Sequence, residues 1–289
     1  MAAIGLALVS ALSWGTGDFL GGMAARRYAL LWVLIASALG GIALSAGGGL
    51  IAGDALPPHE DLLLGSVAGV CGVVALAAFY QALAIGTMSI VAPITATGAA
   101  IPVLWGVIGR GEQLSTFAVI AIVVAVAGVI LASREQDIAE TRGVDAKTHR
   151  RSIMLAIVAA IGFGTIFALI AEAGEESIYW PATALKLTTL TILLVVLAIA
   201  GRRTATWGAR PKGRQWLFPF SIGFFDVGAN ISFAASSHHG ALAITSVVSS
   251  LYPVTTVILA YAFLHERLAV SQRIGVVMAL VGVAMLAAA

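Results

Sequence analysis

Ten apolar stretches of about 20 residues, each long enough to cross the roughly 30 Å hydrocarbon core of a bilayer, dominate this sequence. They run approximately over residues 3–22, 30–50, 62–85, 89–108, 115–132, 152–171, 181–201, 216–236, 242–264 and 270–288. A chain in lipid must satisfy its backbone hydrogen bonds internally, which restricts spanning structures to helices and closed barrels. A barrel would need alternating strands of about ten residues, and none is visible. The expected fold is therefore an all-α integral membrane protein of ten transmembrane helices. Only 10% of the residues are charged, against about 25% in soluble domains. The 16 Lys and Arg nearly balance the 14 Asp and Glu, too few to bind nucleic acid. The lone Cys71 excludes an intrachain disulfide.

The first stretch lacks a basic leader and is too long for a signal-peptide core, so it reads as a true span. Of the 16 Lys and Arg, Lys186 and Arg273 fall within spans and Arg110 lies on the N-terminal side; the others gather on the opposite side. By the positive-inside rule both termini face outward from a cell (inner) membrane, and the linker 133–151 is cytoplasmic.

The two halves of the sequence repeat. Displaced by 149 positions, Ile4, Leu6, Gly15, Thr16 and Leu20 fall on Ile153, Leu155, Gly164, Thr165 and Leu169, and Trp14 falls on Phe163. Displaced by 154, Phe79, Gly86, Glu112, Leu114 and Gly128 fall on Phe233, Gly240, Glu266, Leu268 and Gly282. The units are 1–132 and 152–289, joined by the linker. Five spans per unit is an odd number, so the second unit must be inverted relative to the first, as in many alternating-access carriers.

Ala11-Leu12-Ser13-Trp14-Gly15 in the first span, Leu251-Tyr252-Pro253-Val254 in the ninth, and His265-Glu266-Arg267-Leu268 before an apolar final span resemble the drug/metabolite transporter superfamily, EamA type. The resemblance covers essentially the whole chain. It implies an exporter or exchanger of small metabolites, amino acids among them, with the ten helices arranged around a central cavity lined by the first, third, fourth, sixth, eighth and ninth spans. The family's ninth-span proline matches Pro253; its first-unit counterpart falls on Ala99, with Pro93 and Pro102 nearby. Many members carry basic residues after the second span, which implies termini inside; here that loop is acidic.

An ionisable group deep in a span costs roughly 2.5–3.5 kcal/mol on insertion scales, which makes it a functional candidate. Asp226 lies mid-way along the eighth span, with Asn230 and Phe233 on its face; Asp18 follows Trp14 by one turn in the first. Each carboxylate can take a proton or a substrate ammonium, or be held structurally by neighbouring Ser, Thr or Asn. Neither has an acidic counterpart in the other repeat: Asp18 falls on Phe167 and Asp226 on Gly72. Lys186 lies near enough to the start of the seventh span for its stem to carry the ammonium to the interface. Glu172, Glu175 and Glu176 read as a solvated loop. Trp14, Tyr80, Phe163 and Tyr252 suit either a cavity wall or core packing. Thr95 and Ser249, equivalent in the repeat, suit close helix packing or ligand contact beside the prolines.

The cavity set is therefore Trp14, Asp18, Tyr80, Thr95, Phe163, Asp226, Asn230, Ser249 and Tyr252, with no metal and no cofactor beyond a coupling proton. No phosphate-binding loop, nucleophile elbow or zinc-protease motif is present, so an enzyme is not expected. The expected activity is secondary transport of small metabolites such as amino acids or amines by a monomer or homodimer in the bilayer. A passive channel on the same scaffold, or a helical adaptor without flux, is the alternative.

Overall fold

The computed structural model describes residues 2–25, 27–85, 91, 94–95, 97–132, 146–173, 177–200, 209–264 and 269–288. Among them the chain is helical, with no strand and one isolated bridge, Tyr28 to Ala209. The helices are α1 (Ala2–Ala25), α2 (Leu30–Ala52), α3 (His59–Ile85), α4 (Ala100–Leu104), α5 (Thr116–Ala132), α6 (Ala146–Glu172), α7 (Tyr179–Ala200), α8 (Leu217–His239), α9 (Leu242–Ser249), α10 (Tyr252–Leu264) and α11 (Val270–Ala288). Gly53 ends α2 at φ 70, donating its N–H back to the last turn before Pro57 and Pro58.

Among the described residues eight helical segments are long and apolar enough to cross a membrane, and Thr97–Gly109 and Thr116–Ala132 are shorter apolar helices. The fourth span is therefore not the regular helix that its composition suggested. It runs through a 3-10 turn (Thr97–Ala99), α4 and a π turn (Trp105–Gly109). Pro102 sits in the first turn of α4, where a missing N–H is tolerated. The ninth span is interrupted at the equivalent place, between α9 and α10.

The helices pair according to the repeat. Exchanging the halves turns the α1–α8 contact into α6–α3 and α2–α8 into α7–α3, while α5–α11 and α2–α7 map onto themselves. Close glycine contacts repeat residue by residue. A Cβ on Gly15 would meet the Tyr252 carbonyl and the Thr255 side chain; one on Gly164 would meet the Gly98 carbonyl and the Ile101 side chain. These are the positions displaced by 149 (15 to 164) and 154 (98 to 252, 101 to 255). Likewise Gly128 abuts the backbone of Ala279 and Gly282 that of Ala125. Between lipid-exposed helices, where no hydrophobic force selects partners, such small residues let backbones approach. Thr256 uses the approach at Gly15, donating its hydroxyl to the Gly15 carbonyl at 3.1 Å.

The crowding is testable. Gly128→Leu should destabilise the detergent-solubilised protein by about 1–3 kcal/mol, the usual cost of overpacking, and Gly282→Leu should match it. Gly5→Ala, with nothing within 4 Å, should leave the thermal midpoint nearly unchanged.

Candidate functional site

Helix α1 begins at the end of the bundle shared with the C-termini of α6 and α8, and finishes at the opposite, linker end. Its residues 7, 11, 14, 18, 22 and 25 lie on one face, three or four apart. That face is sealed at first, with Ala7 0% and Ala11 2% exposed, and half-buried at Trp14. It then opens: Asp18, Gly22 and Ala25 are exposed. The equivalent face of α6 never opens within the described residues, since Ala156, Ala160, Phe167 and Ala171 are all buried. The ninth span shows the same contrast. Seven residues of α9 are buried, whereas in α10 Val254 alone of the described side chains is, and Tyr261 and Phe263 are 57% and 68% exposed.

At the turning point lies an aromatic cluster. The Trp14 ring packs on Phe167 at 4.7 Å, Phe233 at 6.0 Å and Tyr252 at 6.3 Å, and Phe167 packs on Phe233 at 4.8 Å. A narrow crevice beside it is lined by Thr95, Phe163, Gly164, Phe167, Ser250 and Tyr252. The crevice thus lies where residues of the fourth, sixth and ninth spans meet. Three expected cavity residues, Thr95, Phe163 and Tyr252, share this crevice, and Trp14 of α1 packs on two of its lining rings, Phe167 and Tyr252.

The polar candidates divide. Thr95 is buried and donates to the Val91 carbonyl at 2.9 Å, and Ser249 is buried and donates to the Ala7 carbonyl at 3.3 Å. Both hydroxyls serve packing in this state. Asn230, 5% exposed, donates to the Asp226 carbonyl at 2.7 Å and lines a second crevice with Ile170, Pro181 and Ala234. Tyr80 lies in α3, its side chain outside the described residues.

Asp226 does not stand alone: it forms an ion pair with Lys186. This corrects the expectation that Lys186 snorkels to the interface. Its stem instead lies over Gly41 of α2, where the missing side chain leaves room for it, and the ammonium turns inward to α8. A carboxylate within reach stabilises the ammonium more than a partial path to water does. A lysine and an aspartate within consecutive spans are the one sequence signal that could have suggested this pair. Asp18 has Asp226 within electrostatic range, and Tyr252 lies within range of Asp18.

The end near the N-terminus is closed by a second charged network. Arg110 Nε donates to Glu172 Oε1 at 2.7 Å, its Nη2 donates to the Ala171 carbonyl at 2.8 Å, and Trp105 Nε1 donates to the same Glu172 oxygen at 2.8 Å. Nearby, Glu112 accepts the N–H groups of Leu242 and Ala243 at 2.6 and 2.9 Å, capping α9. Glu172 is thus no free loop acid; Glu175 and Glu176 lie outside the described residues. At the same end Ser177 donates to Asp54 Oδ2 at 2.6 Å, and Trp180 Nε1 to the Asp54 carbonyl at 3.2 Å.

These features define a polytopic helical membrane protein built from two related halves, with charges in its interior. The EamA-like transporter family matches residues 1–134 and 150–288. The chain belongs to the EamA-like transporter family and is a multi-pass membrane transporter. Among solved structures 28 chains match. One, described only as "Crystal structure of protein", superposes with a TM-score of 0.77 at 17% identity, covering 98% of this chain and 95% of that chain. No curated protein matches by sequence.

Removing one member of the Lys186–Asp226 pair should matter more than removing both. Lys186→Met leaves a partly buried carboxylate unpaired and should destabilise the protein toward the low end of the roughly 3–5 kcal/mol seen for buried pairs. Lys186→Met with Asp226→Asn should recover most of that loss in thermal unfolding.

Proposed function

We propose that the protein is a secondary carrier, an exporter or exchanger of small metabolites such as amino acids or amines, working by alternating access. Ten crossings in two inverted five-helix units would enclose one cavity, with units 1–132 and 152–289 joined by the linker 133–151. The observation that carries this reading is one-sided closure. The shared face of α1 is open at the linker end, while the other end is sealed by Arg110, Glu172, Trp105 and Glu112. A channel needs a continuous path, and an adaptor has no use for a crevice that opens on one side.

In the cycle, the interrupted fourth and ninth spans are the points where the halves bend, because the backbone departs from regular α-helix at Thr97–Ala99, a 3-10 turn, and at Ser250–Leu251, where Leu251 donates to the Val248 carbonyl at 3.2 Å. Pro253 keeps the second break open. Opening at the sealed end requires Arg110 to leave Glu172 and the Ala171 carbonyl. Asp18 and Asp226 hold the proton or the cargo's ammonium, Trp14, Tyr80, Phe163 and Tyr252 wall the cavity, and Thr95, Asn230 and Ser249 supply hydrogen bonds once helix movement releases them. A proton is the coupling ion suited to two carboxylates deep in the spans, Asp18 and Asp226, the second paired with Lys186. The termini face outward from the inner membrane, and the linker lies in the cytoplasm.

Two measurements test this. In a Cys71→Ser background, Ser250→Cys should react with an impermeant thiol reagent from the linker side only, and adding Arg110→Ala should admit reagent from the other side as well; labelling from both sides without Arg110→Ala would mean a pore. Reporter fusions at the C-terminus should be active outside the cytoplasm, and activity inside would invert the topology.

A further inference from the structure

At the linker end the turn between α1 and α2 lies beside the entry of α8, and the two connections are joined backbone to backbone. Tyr28 bridges to Ala209, and the Ala29 N–H donates to the Ala209 carbonyl at 3.1 Å. Pro211 is fully buried, and the Lys212 N–H donates to Gln215 Oε1 at 3.0 Å, which holds the second connection in place. Arg210 is thereby set against two indoles. Its guanidinium carbon lies 4.7 Å from the centre of the Trp32 ring and 5.7 Å from that of Trp216, and the rings stand 6.0 Å apart at 81°. Stacking uses the face of a guanidinium and leaves its in-plane N–H groups to an acceptor. Arg210 is exposed and makes no hydrogen bond or ion pair with a described residue.

The surroundings are basic. Arg27 adjoins the bridged Tyr28, Lys212 and Arg214 follow Arg210 by two and four positions, and all three are exposed. The other described charged residues of this end, Lys147, Arg150 and Arg151 on α6 and Arg273 on α11, are basic as well. Its acidic residues, Glu135, Asp137, Glu140, Asp145 and Glu266, lie outside the described residues. Deeper along the same helices the surface turns apolar. Leu39 of α2, seven positions from Trp32 and so on its face, is 44% exposed; Leu217 and Phe224 of α8, also seven apart, are 65% and 40% exposed. The two helices adjoin there, since a Cβ on Gly40 would meet the Phe220 carbonyl. Indoles mark the headgroup level of a bilayer. A soluble anion would use only the cation at that level, whereas a phospholipid would use the cation and the apolar surface beneath it.

We propose that Arg210, Trp32 and Trp216 form a binding site for an anionic phospholipid of the leaflet bordering the linker end. The phosphate accepts the in-plane N–H groups of Arg210, Arg27, Lys212 and Arg214 attract the net charge of the headgroup, and an acyl chain lies along Leu39 and Phe224. Bound there, the lipid clasps the α1–α2 turn to the entry of α8, the helix that carries Asp226.

Native mass spectrometry of the full-length protein in neutral detergent tests this, with phosphatidylglycerol and phosphatidylcholine of the same acyl chains as probes. Phosphatidylglycerol should bind about tenfold more tightly or better, since each basic side chain near an anionic headgroup contributes about fivefold. Arg210→Gln should weaken its binding about tenfold or more, the scale of a lost charge-assisted pair of hydrogen bonds. Arg210→Lys, which keeps the charge and loses the fork, should recover only part. The combined Lys147→Gln, Arg150→Gln and Arg151→Gln variant removes three charges of the same end from α6 and should cost less than the single change at Arg210. Unchanged thermal midpoints without lipid separate lost binding from misfolding; if Arg210→Gln does not fold, Arg210→Lys must bind more weakly than the wild type, and equal binding overturns the site. Equal affinity for the two lipids, wild-type binding by folded Arg210→Gln, or a larger loss in the triple variant overturns it too. Displacement of the lipid by an equal concentration of glycerol phosphate would make the ligand a soluble phosphate instead. Binding that emerges only after Glu135→Gln, Asp137→Asn, Glu140→Gln and Asp145→Asn would show that the chain's own linker occupies the patch, and the lipid site would fall.

Discussion

Lipid supplies neither hydrogen bonds to the backbone nor a hydrophobic reason for one helix to choose another, so this bundle depends on close approach at small residues. Gly15, Gly128, Gly164 and Gly282 each sit where a methyl group would collide with the neighbouring backbone or side chain. Because these contacts recur at equivalent positions in both halves, the chain builds two matching surfaces from one duplicated pattern. The packing order, α1 on α8 and α6 on α3, follows from that pattern.

Upon this near-symmetry the interior chemistry is one-sided. Asp18 occupies the position that Phe167 fills in the other repeat, and Asp226 the position of Gly72. One side of the centre therefore carries charge and an opening face, and the other carries rings and a sealed one. Directional access needs such a difference, since two chemically equal halves would give two equal states. The Lys186–Asp226 pair ties α7 to α8 inside the charged side, and Gly41 makes room for the lysine stem.

Much of this was legible in the sequence. The all-helical character and the order of the apolar segments followed from apolar length, because lipid leaves the backbone no other choice. The repeat followed from Gly15, Gly128 and their partners, because close contacts tolerate little but glycine. What was not legible depended on relative placement of helices distant in the chain. Lys186 looked free to snorkel because its partner lies 40 positions away on another helix (186 to 226). Glu172 looked like loop because Arg110 and Trp105 come from the other half. Ser249 and Thr95 carry hydroxyls suited to a ligand, yet in this state both bond to helix carbonyls. The irregular fourth span was hidden because apolar composition does not distinguish α, 3-10 and π turns.

The central claim is that the two ends of the bundle open in alternation. It is tested most directly by spin-label distances in lipid nanodiscs, one pair across the linker end at Arg27 and Phe263 and one across the other end at Ala173 and His239. When a transported compound is added, the account predicts that the first distance shortens as the second lengthens. Distances that stay fixed, or that lengthen at both ends together, would contradict it.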